Sequence, residues 1–503
     1  MILVLLPALV VFIGITLYAL WRRQRTDRRE ADMENCCTPR GGPCDLAVIG
    51  AGSAGFSAAI TAAEAGVRVA LIGDGTIGGT CVNLGCVPSK TLIRAVEGLH
   101  HASAANRFDG IKASARVTDW AAMVAQKQAL VEELRAAKYA DVLPRYEDIT
   151  YVEGRARFDD AGGLTVDGAA FPAAKVVIAT GSRPHVPAIP GIETVGALDS
   201  TSALELTELP ASMLVLGAGY IGVELAQLFA RAGVSVTLIS RRGVLPEAEP
   251  EVSEVLERYL ADEGIRLVRT GEYRRVEQQE DGMALHLAEG GVIQAERLLL
   301  ATGRVPNSDG LNLAAAGIET DARGGIVIDT HMRTANPWVW AAGDVTGRDQ
   351  YVYMAAYGAK IAARNAAAGE TRSYDNRTMP WVVFSDPQVA GVGLSEAQAR
   401  AAGREVVTSV LPLAAVPRAL AARDTRGLIK LVAEAGSKRL LGAQILAPEG
   451  ADSIQTAAMA LKAGLTYDEL GDTIMPYLTT VEGLKLAAQT FEKDVAALSC
   501  CAG

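Results

Sequence analysis

The chain has 503 residues, with 48 Lys and Arg against 58 Asp and Glu, a formal net charge of −10. That balance and a pI near 5.3 exclude a nucleic-acid partner, which needs a basic face. The length suits about three domains. The seven cysteines cluster as Cys36, Cys37 and Cys44, then Cys81 and Cys86, then Cys500 and Cys501. Such spacing excludes the disulfide framework of a small secreted fold.

Residues 1–21 contain no charged side chain, and Arg22, Arg23, Arg25, Arg28 and Arg29 follow. As a helix this stretch spans about 30 Å, one hydrocarbon core, with its arginine end in the cytoplasm. The alternatives are a cleaved signal peptide, for which a basic n-region and a small-residue cleavage site are lacking, and a misplaced start codon. Residues 22–43 read as a polar linker, in which Cys36 and Cys37 suit either capture of a soft metal ion or no role at all.

Residues 45–49 read as a buried strand. The turn Gly50-Ala51-Gly52-Ser53-Ala54-Gly55 then opens an alanine-rich helix to residue 65, and a second strand covers 67–72. Strand, glycine turn, helix and strand in that order form a dinucleotide fingerprint, whose glycines let a pyrophosphate approach a helix N-terminus. The acid expected at the end of the second strand to bind a ribose is missing: position 73 is Gly and Asp74 follows. Either Asp74 substitutes from a shifted position or a backbone group takes over.

Next comes the run GGTCVNLGCVPSK over residues 78–90, with Cys81 and Cys86 at the mouth of a predicted helix. A helix N-terminus favours thiolate over thiol. The bare spacing leaves open a structural disulfide, two buried thiols and a redox pair.

A second fingerprint begins at residue 213. Its strand covers 214–216, its turn is Gly217-Ala218-Gly219-Tyr220-Ile221-Gly222, its helix runs over 223–232 and its closing strand over 234–239. Two units imply two dinucleotides. The closing strand ends in Ser240-Arg241-Arg242, with no acid. Two guanidiniums would pair with a ribose 2′-phosphate, which points to NADPH rather than NADH; a solvated basic loop is the alternative. At the far end, Cys500 and Cys501 are vicinal, and their Cα atoms, about 3.8 Å apart, do not easily bridge each other. Two such thiolates on a mobile terminus suit Hg(II), a soft ion of low coordination number. A chance pair on a frayed tail also fits.

The run over 78–90 resembles the active-site segment of the flavoprotein disulfide reductases, and the resemblance extends from about residue 44 to the end. It implies an interchange thiol at Cys81 and, at Cys86, a charge-transfer thiol lying against FAD. It places Gly50, Gly52, Gly55, Asp74, Gly75 and Thr80 on the cofactor. Lys90 and Glu224 match a pair set beside the flavin N5, and Tyr220 matches a tyrosine covering the nicotinamide pocket. The segment over 154–158, with Ala156, resembles an adenine contact. Ala179-Thr180-Gly181 and the 301–303 repeat ending in Gly303 resemble domain crossovers. Asp344 matches a ribityl contact, and Val352 joins the cofactor set. Gly217, Gly219, Gly222, Arg241 and Arg242 would hold NADPH.

The implied fold is α/β: two Rossmann-like dinucleotide-binding domains plus a C-terminal α+β dimerisation domain, preceded by the N-terminal transmembrane helix. The expected boundaries are 44–205 with 295–377 for FAD, 206–294 for NADPH, 378–490 for a mixed dimerisation sheet with helices, and 491–503 for a metal-binding tail. In thiol-disulfide members this last domain supplies a His-Pro-Thr-x-x-Glu segment whose histidine moves protons. Here the matching stretch over 476–482 keeps Glu482 but has Tyr477 at the histidine position, and the five histidines all lie upstream of the domain. An organic disulfide needs that base; a metal ion needs soft ligands and electrons. The lost histidine, Tyr477 and the terminal cysteine pair together resemble the Hg(II)-reducing branch of the family.

That branch implies a homodimer with active sites at the subunit interface. In it Cys500 and Cys501 collect Hg(II) from thiol complexes and pass it by Tyr477 to Cys81 and Cys86. The catalytic body would be cytoplasmic and anchored to the inner membrane by residues 1–21. A dihydrolipoamide dehydrogenase or glutathione reductase-like enzyme is the alternative within the family, and a membrane-tethered soft-metal-binding protein the alternative outside it.

Overall fold

The computed structural model describes residues 44–498. The expected membrane helix, the linker with Cys36 and Cys37, and the tail pair Cys500 and Cys501 lie outside the described residues. Among the described residues no helix is long and apolar enough to cross a membrane.

The elements that frame the sites are, in chain order, β1 (Leu46–Ile49), α1 (Ser53–Glu64), β2 (Val69–Gly73), α2 (Gly79–Asn83), α3 (Cys86–Ala104), β3 (Ile149–Glu153), β4 (Val176–Ile178), β5 (Ser212–Leu216), α4 (Tyr220–Arg231) and β6 (Ser235–Ser240). They continue with β7 (Arg266–Arg269), β8 (Arg297–Leu300), β9 (Val339–Ala341), α5 (Val352–Ala368), β10 (Pro380–Val383), β11 (Gln388–Gly393), β12 (Val406–Pro412), β13 (Leu428–Glu434), β14 (Leu440–Ala447), α6 (Gly450–Ala463) and α7 (Glu482–Gln489). The chain forms two compact units. One holds residues 44–83, Leu130–Arg183 and Arg304–Tyr374; the other holds Leu84–Ala129, Pro184–Gly303 and residues 375–498.

The first unit is built on a parallel sheet of order β9-β4-β1-β2-β3. All four residues of β1 and all five of β2 are buried, as a parallel strand covered on both faces requires. Burying each Leu, Val or Ile contributes about 1.5–3 kcal/mol. Helix α1 covers one face through Ala58, Ala59 and Ala62, all fully buried.

The second unit repeats the design with the parallel order β7-β6-β5-β8. It adds a five-stranded sheet of order β10-β11-β14-β13-β12. The mixed sheet expected after residue 378 is corrected here: every pairing is antiparallel. Buried strands such as β13 look alike in composition whichever way their neighbours run, so pairing sense is not written in the pattern. Fingerprint boundaries also move slightly. Helix α4 starts at Tyr220 rather than 223, so the last residues of the glycine turn already belong to the helix.

Candidate active site and its two glycine turns

In the first unit Gly50 has φ +113°, and a Cβ there would stand 2.3 Å from the Ala179 carbonyl oxygen. A Cβ on Gly55 would stand 1.7 Å from the Gly50 oxygen. Both positions therefore exclude side chains, and the turn closes tightly against Ala179-Thr180-Gly181 at the end of β4. No side chain caps α1 at Gly52, so its first-turn N–H groups remain available to an anion. This steric cradle fits the pyrophosphate of FAD.

The segment leading to Cys81 lies on the same turn. Gly78 N–H donates to the Ala51 carbonyl at 2.8 Å, and a Cβ on Gly79 would meet the Gly52 Cα at 2.6 Å. Asn83 is buried and donates through Nδ2 to the carbonyls of Ile77 and Gly79, both at 2.9 Å. Half-buried Cys81, in α2, is thereby fixed beside the dinucleotide turn, with Thr80 exposed next to it. Asn83 has no signature in the sequence; its role comes from folding back on its own helix.

Asp344 approaches the same place. It follows Gly343, where a Cβ would meet the Ala54 Cβ of α1 at 3.0 Å. Ser182 Oγ donates to its carboxylate at 2.6 Å, and Arg304 Nε donates to that Ser182 Oγ at 2.7 Å. Thr180 and Asn307 exchange hydrogen bonds of 2.7 and 3.0 Å that hold the crossover. Val352 opens α5, which packs on α1 through the Ser57 hydroxyl and the Ala356 carbonyl. Ala156 is buried in a short strand, and Asp74 and Gly75 are exposed just past β2. The missing ribose acid has a steric reason: a Cβ on Gly73 would stand 2.9 Å from the Ala51 Cβ and 3.1 Å from the Tyr151 hydroxyl.

The second unit repeats the turn almost number for number. Gly217 has φ +109°, its Cβ would stand 2.4 Å from the Ala301 oxygen, and a Cβ on Gly222 would stand 1.8 Å from the Gly217 oxygen. Gly303, at φ +109°, ends the matching crossover. A Cβ on Gly219 would meet nothing within 4 Å. At the close of β6, Arg242 pairs with Glu247 at 2.8 Å on the exposed surface, and Arg241 is exposed beside it. This cradle fits a second dinucleotide, and the two arginines directly follow the end of β6.

The two cysteines do not share one helix mouth, a correction to the sequence expectation: Cys81 lies inside α2, whereas Cys86 is exposed and opens α3. Four residues after Cys86, on the same helix face, the Lys90 ammonium meets Glu224 at 2.6 Å. Glu224 is buried, and its other oxygen accepts the Phe384 N–H at 2.9 Å, while the ammonium stands 4.9 Å from the Phe384 ring centroid. Both carboxylate oxygens are thus satisfied, as a buried charge requires. Phe384 carries no sequence signal for this role.

Tyr477 is 56% exposed. Its loop is held from below: buried Glu482, first residue of α7, accepts the Leu478 N–H at 3.0 Å, and Leu478 adopts φ +61°.

The chain belongs to the pyridine nucleotide-disulphide oxidoreductase family. The family model matches residues 44–363, and the model of the family's dimerisation domain matches residues 379–488. Among individual proteins, it is 47% identical to a mercuric reductase of Lysinibacillus sphaericus over 463 residues, 91% of this chain and 84% of that protein. It is also 47% identical to a mercuric reductase of Streptomyces lividans, covering 91% of this chain and 98% of the relative. Among solved structures, the Cu(II) complex of the HOCl-induced flavoprotein disulfide reductase RclA from Escherichia coli matches with a TM-score of 0.80 at 33% identity, over 89% of this chain and 99% of that one.

Proposed function

We propose that this chain is an enzyme that reduces Hg(II) to elemental mercury at the expense of NADPH, through FAD and the thiols of Cys81 and Cys86. The observation that carries this reading is the similarity, over nine-tenths of the chain, to mercuric reductases. The exposed phenol of Tyr477, where a disulfide reductase would need an imidazole, agrees with it. In overall balance, NADPH and Hg(II) become NADP⁺, H⁺ and Hg(0). When bound, the flavin and the nicotinamide supply the two-electron chemistry.

The residues then divide the work. Gly50, Gly52, Gly55, the 179–181 crossover and Asp344 bind and orient FAD, with Ala156, Asp74, Gly75, Thr80 and Val352 around it. Gly217, Gly219, Gly222, Arg241 and Arg242 bind NADPH. Cys81 and Cys86 take Hg(II) by exchange, each displaced thiolate leaving to be protonated by solvent. Glu482 keeps the Tyr477 loop in place, and Lys90, held by Glu224, would serve beside the flavin N5. Under this reading the boundaries are 44–205 with 295–377, 206–294 and 378–490. The last of these makes a homodimer in which Cys500 and Cys501 of the 491–503 tail deliver Hg(II) to the other subunit. Residues 1–21 anchor a cytoplasmic body to the inner membrane.

The test is NADPH oxidation by the flavin-loaded protein with Hg(II) supplied as a dithiol complex. Cys86→Ser should lower turnover at least roughly a hundredfold while the flavin stays bound and is still reduced by NADPH. Normal Hg(II) turnover by the variant, or faster wild-type oxidation with an organic disulfide than with Hg(II), would refute the proposal.

A further inference from the structure

We propose that Trp381 is a positioning residue for the second dinucleotide, holding the Tyr220 ring at the mouth of the second glycine turn. The proposal rests on the reading above that NADPH binds there. Tyr220 stands between Gly219 and Gly222 and is the first residue of α4. Its ring is stacked on Trp381, with centroids 5.6 Å apart and planes 20° from parallel. At the corresponding place in the first turn stands Ser53, whose hydroxyl lies 3.2 Å from that of Tyr139. The aromatic stack therefore belongs to the second turn and not to the glycine motif as such.

The space for the indole is built into the sheet. Trp381 in β10 faces Gly391 in β11, and a Cβ on Gly391 would stand 2.4 Å from the Trp381 Cζ2 and 2.5 Å from its Cε2. Only glycine leaves that room. The strand is also clamped lengthwise along α4. Tyr220, Glu224, Gln227 and Arg231 fall at helical spacing on one stripe. Trp381 stacks on the first, and the Phe384 N–H donates to Glu224 at 2.9 Å. Gln227 accepts the Asp386 N–H at 2.8 Å and donates to the Asp386 carbonyl at 2.9 Å. Arg231 reaches the Asp386 carboxylate at 3.0 Å. Glu224, Gln227 and Asp386 are buried, so sliding the strand would strand several polar groups at once. Trp381 is consequently a platform held along α4 that covers one face of Tyr220.

The test uses the flavin-loaded enzyme and follows flavin reduction by NADPH in stopped flow, with the Hg(II)-driven reoxidation of the reduced enzyme measured beside it. Trp381→Ala should raise the apparent Kd for NADPH roughly twofold to tenfold, the range expected for loss of one aromatic pair. Reoxidation by Hg(II) should stay at the wild-type rate, and Trp381→Phe should restore the affinity. In a Tyr220→Ala background Trp381→Ala should have no further effect, a coupling that a purely structural role would not produce. If Trp381→Ala does not load flavin, Trp381→Leu fills the space without a stacking ring and carries the same expectation. An unchanged Kd, additive effects with Tyr220→Ala, or an equal loss in reoxidation would overturn the role of Trp381 and leave the proposed function standing. A wild-type flavin that NADPH does not reduce would overturn both.

Discussion

The two glycine turns impose the same steric demand and sit in opposite surroundings. At Gly50 and Gly217 an added Cβ would strike a carbonyl, that of Ala179 or Ala301, and at Gly55 and Gly222 it would strike the turn itself. Around the first turn, Gly52 is roofed by the segment over 78–79 that carries Cys81, and β2 ends at Gly73 under the Tyr151 hydroxyl. Around the second, Gly219 is open, Tyr220 stacks on Trp381, and β6 ends in two arginines. The helices differ at their far ends as well. Helix α1 has no basic residue in its last turn, whereas α4 ends in Arg231, which pairs with buried Asp386 and with Glu263. The glycines thus impose the same close approach at both turns, and the residues around them differ.

The sharpest way to separate the turns is to block each in turn. Gly55→Val should yield colourless protein without flavin, because its side chain must displace the Gly50 backbone. Gly222→Val should stay yellow and yet show no NADPH reduction of the flavin. Overpacking of this kind costs about 1–3 kcal/mol or more, so absorbance and thermal unfolding of both variants are read together. If both variants lose flavin alike, the turns are not independent sites.

A smaller effect is expected at the end of β6. Arg241→Ala with Arg242→Ala should shift the NADPH-over-NADH preference in kcat/KM by about tenfold to a hundredfold, from loss of charge-assisted bonds to a phosphate. Because Arg242 already holds Glu247, Glu247→Gln should move the preference the other way, toward NADPH. An unaltered ratio in the double variant would mean that the arginines are only a solvated loop.

The smallest effect concerns the charged end of α4, which has no counterpart on α1. His100, near the end of α3, lies 4.0 Å from Glu263 and 3.9 Å from Asp386, and His101 also lies 3.9 Å from Asp386. Burial first, and then the Arg231 guanidinium with help from Arg426, hold the His100 pKa below its ordinary value, against the pull of Glu263 and Asp386. The folded protein therefore binds fewer protons than the unfolded chain just below pH ~6.5, and stability falls as pH drops through that window. The carboxylates behave differently. Burial pushes Asp424 up, but Arg426 and Arg107 outweigh it and hold it at about 2, so its stabilisation is lost only in strong acid. His100→Gln should flatten the Tm profile just below pH ~6.5. An identical profile in the variant would remove His100 from the acid response.

Sequence alone determined what local sterics and local order can encode. Both glycine turns, the Cys81 and Cys86 run and the arginines after β6 were legible there, while the crossovers and the exchange of histidine for Tyr477 were legible only through the resemblance to a family. Each is a short stretch whose meaning depends on its immediate neighbours: a positive φ, a helix N-terminus, a charge at a strand end. Tertiary structure alone decided the rest. Trp381 is a single aromatic in β10 and Phe384 lies just past its end, and their partners on α4 lie about 160 residues earlier, a separation no periodicity can bridge. Gly73 reads as a missing acid until β3 brings Tyr151 over it. The antiparallel order of the last sheet follows from which strands meet, since a strand's hydrophobic pattern records its burial and not the direction of its neighbour.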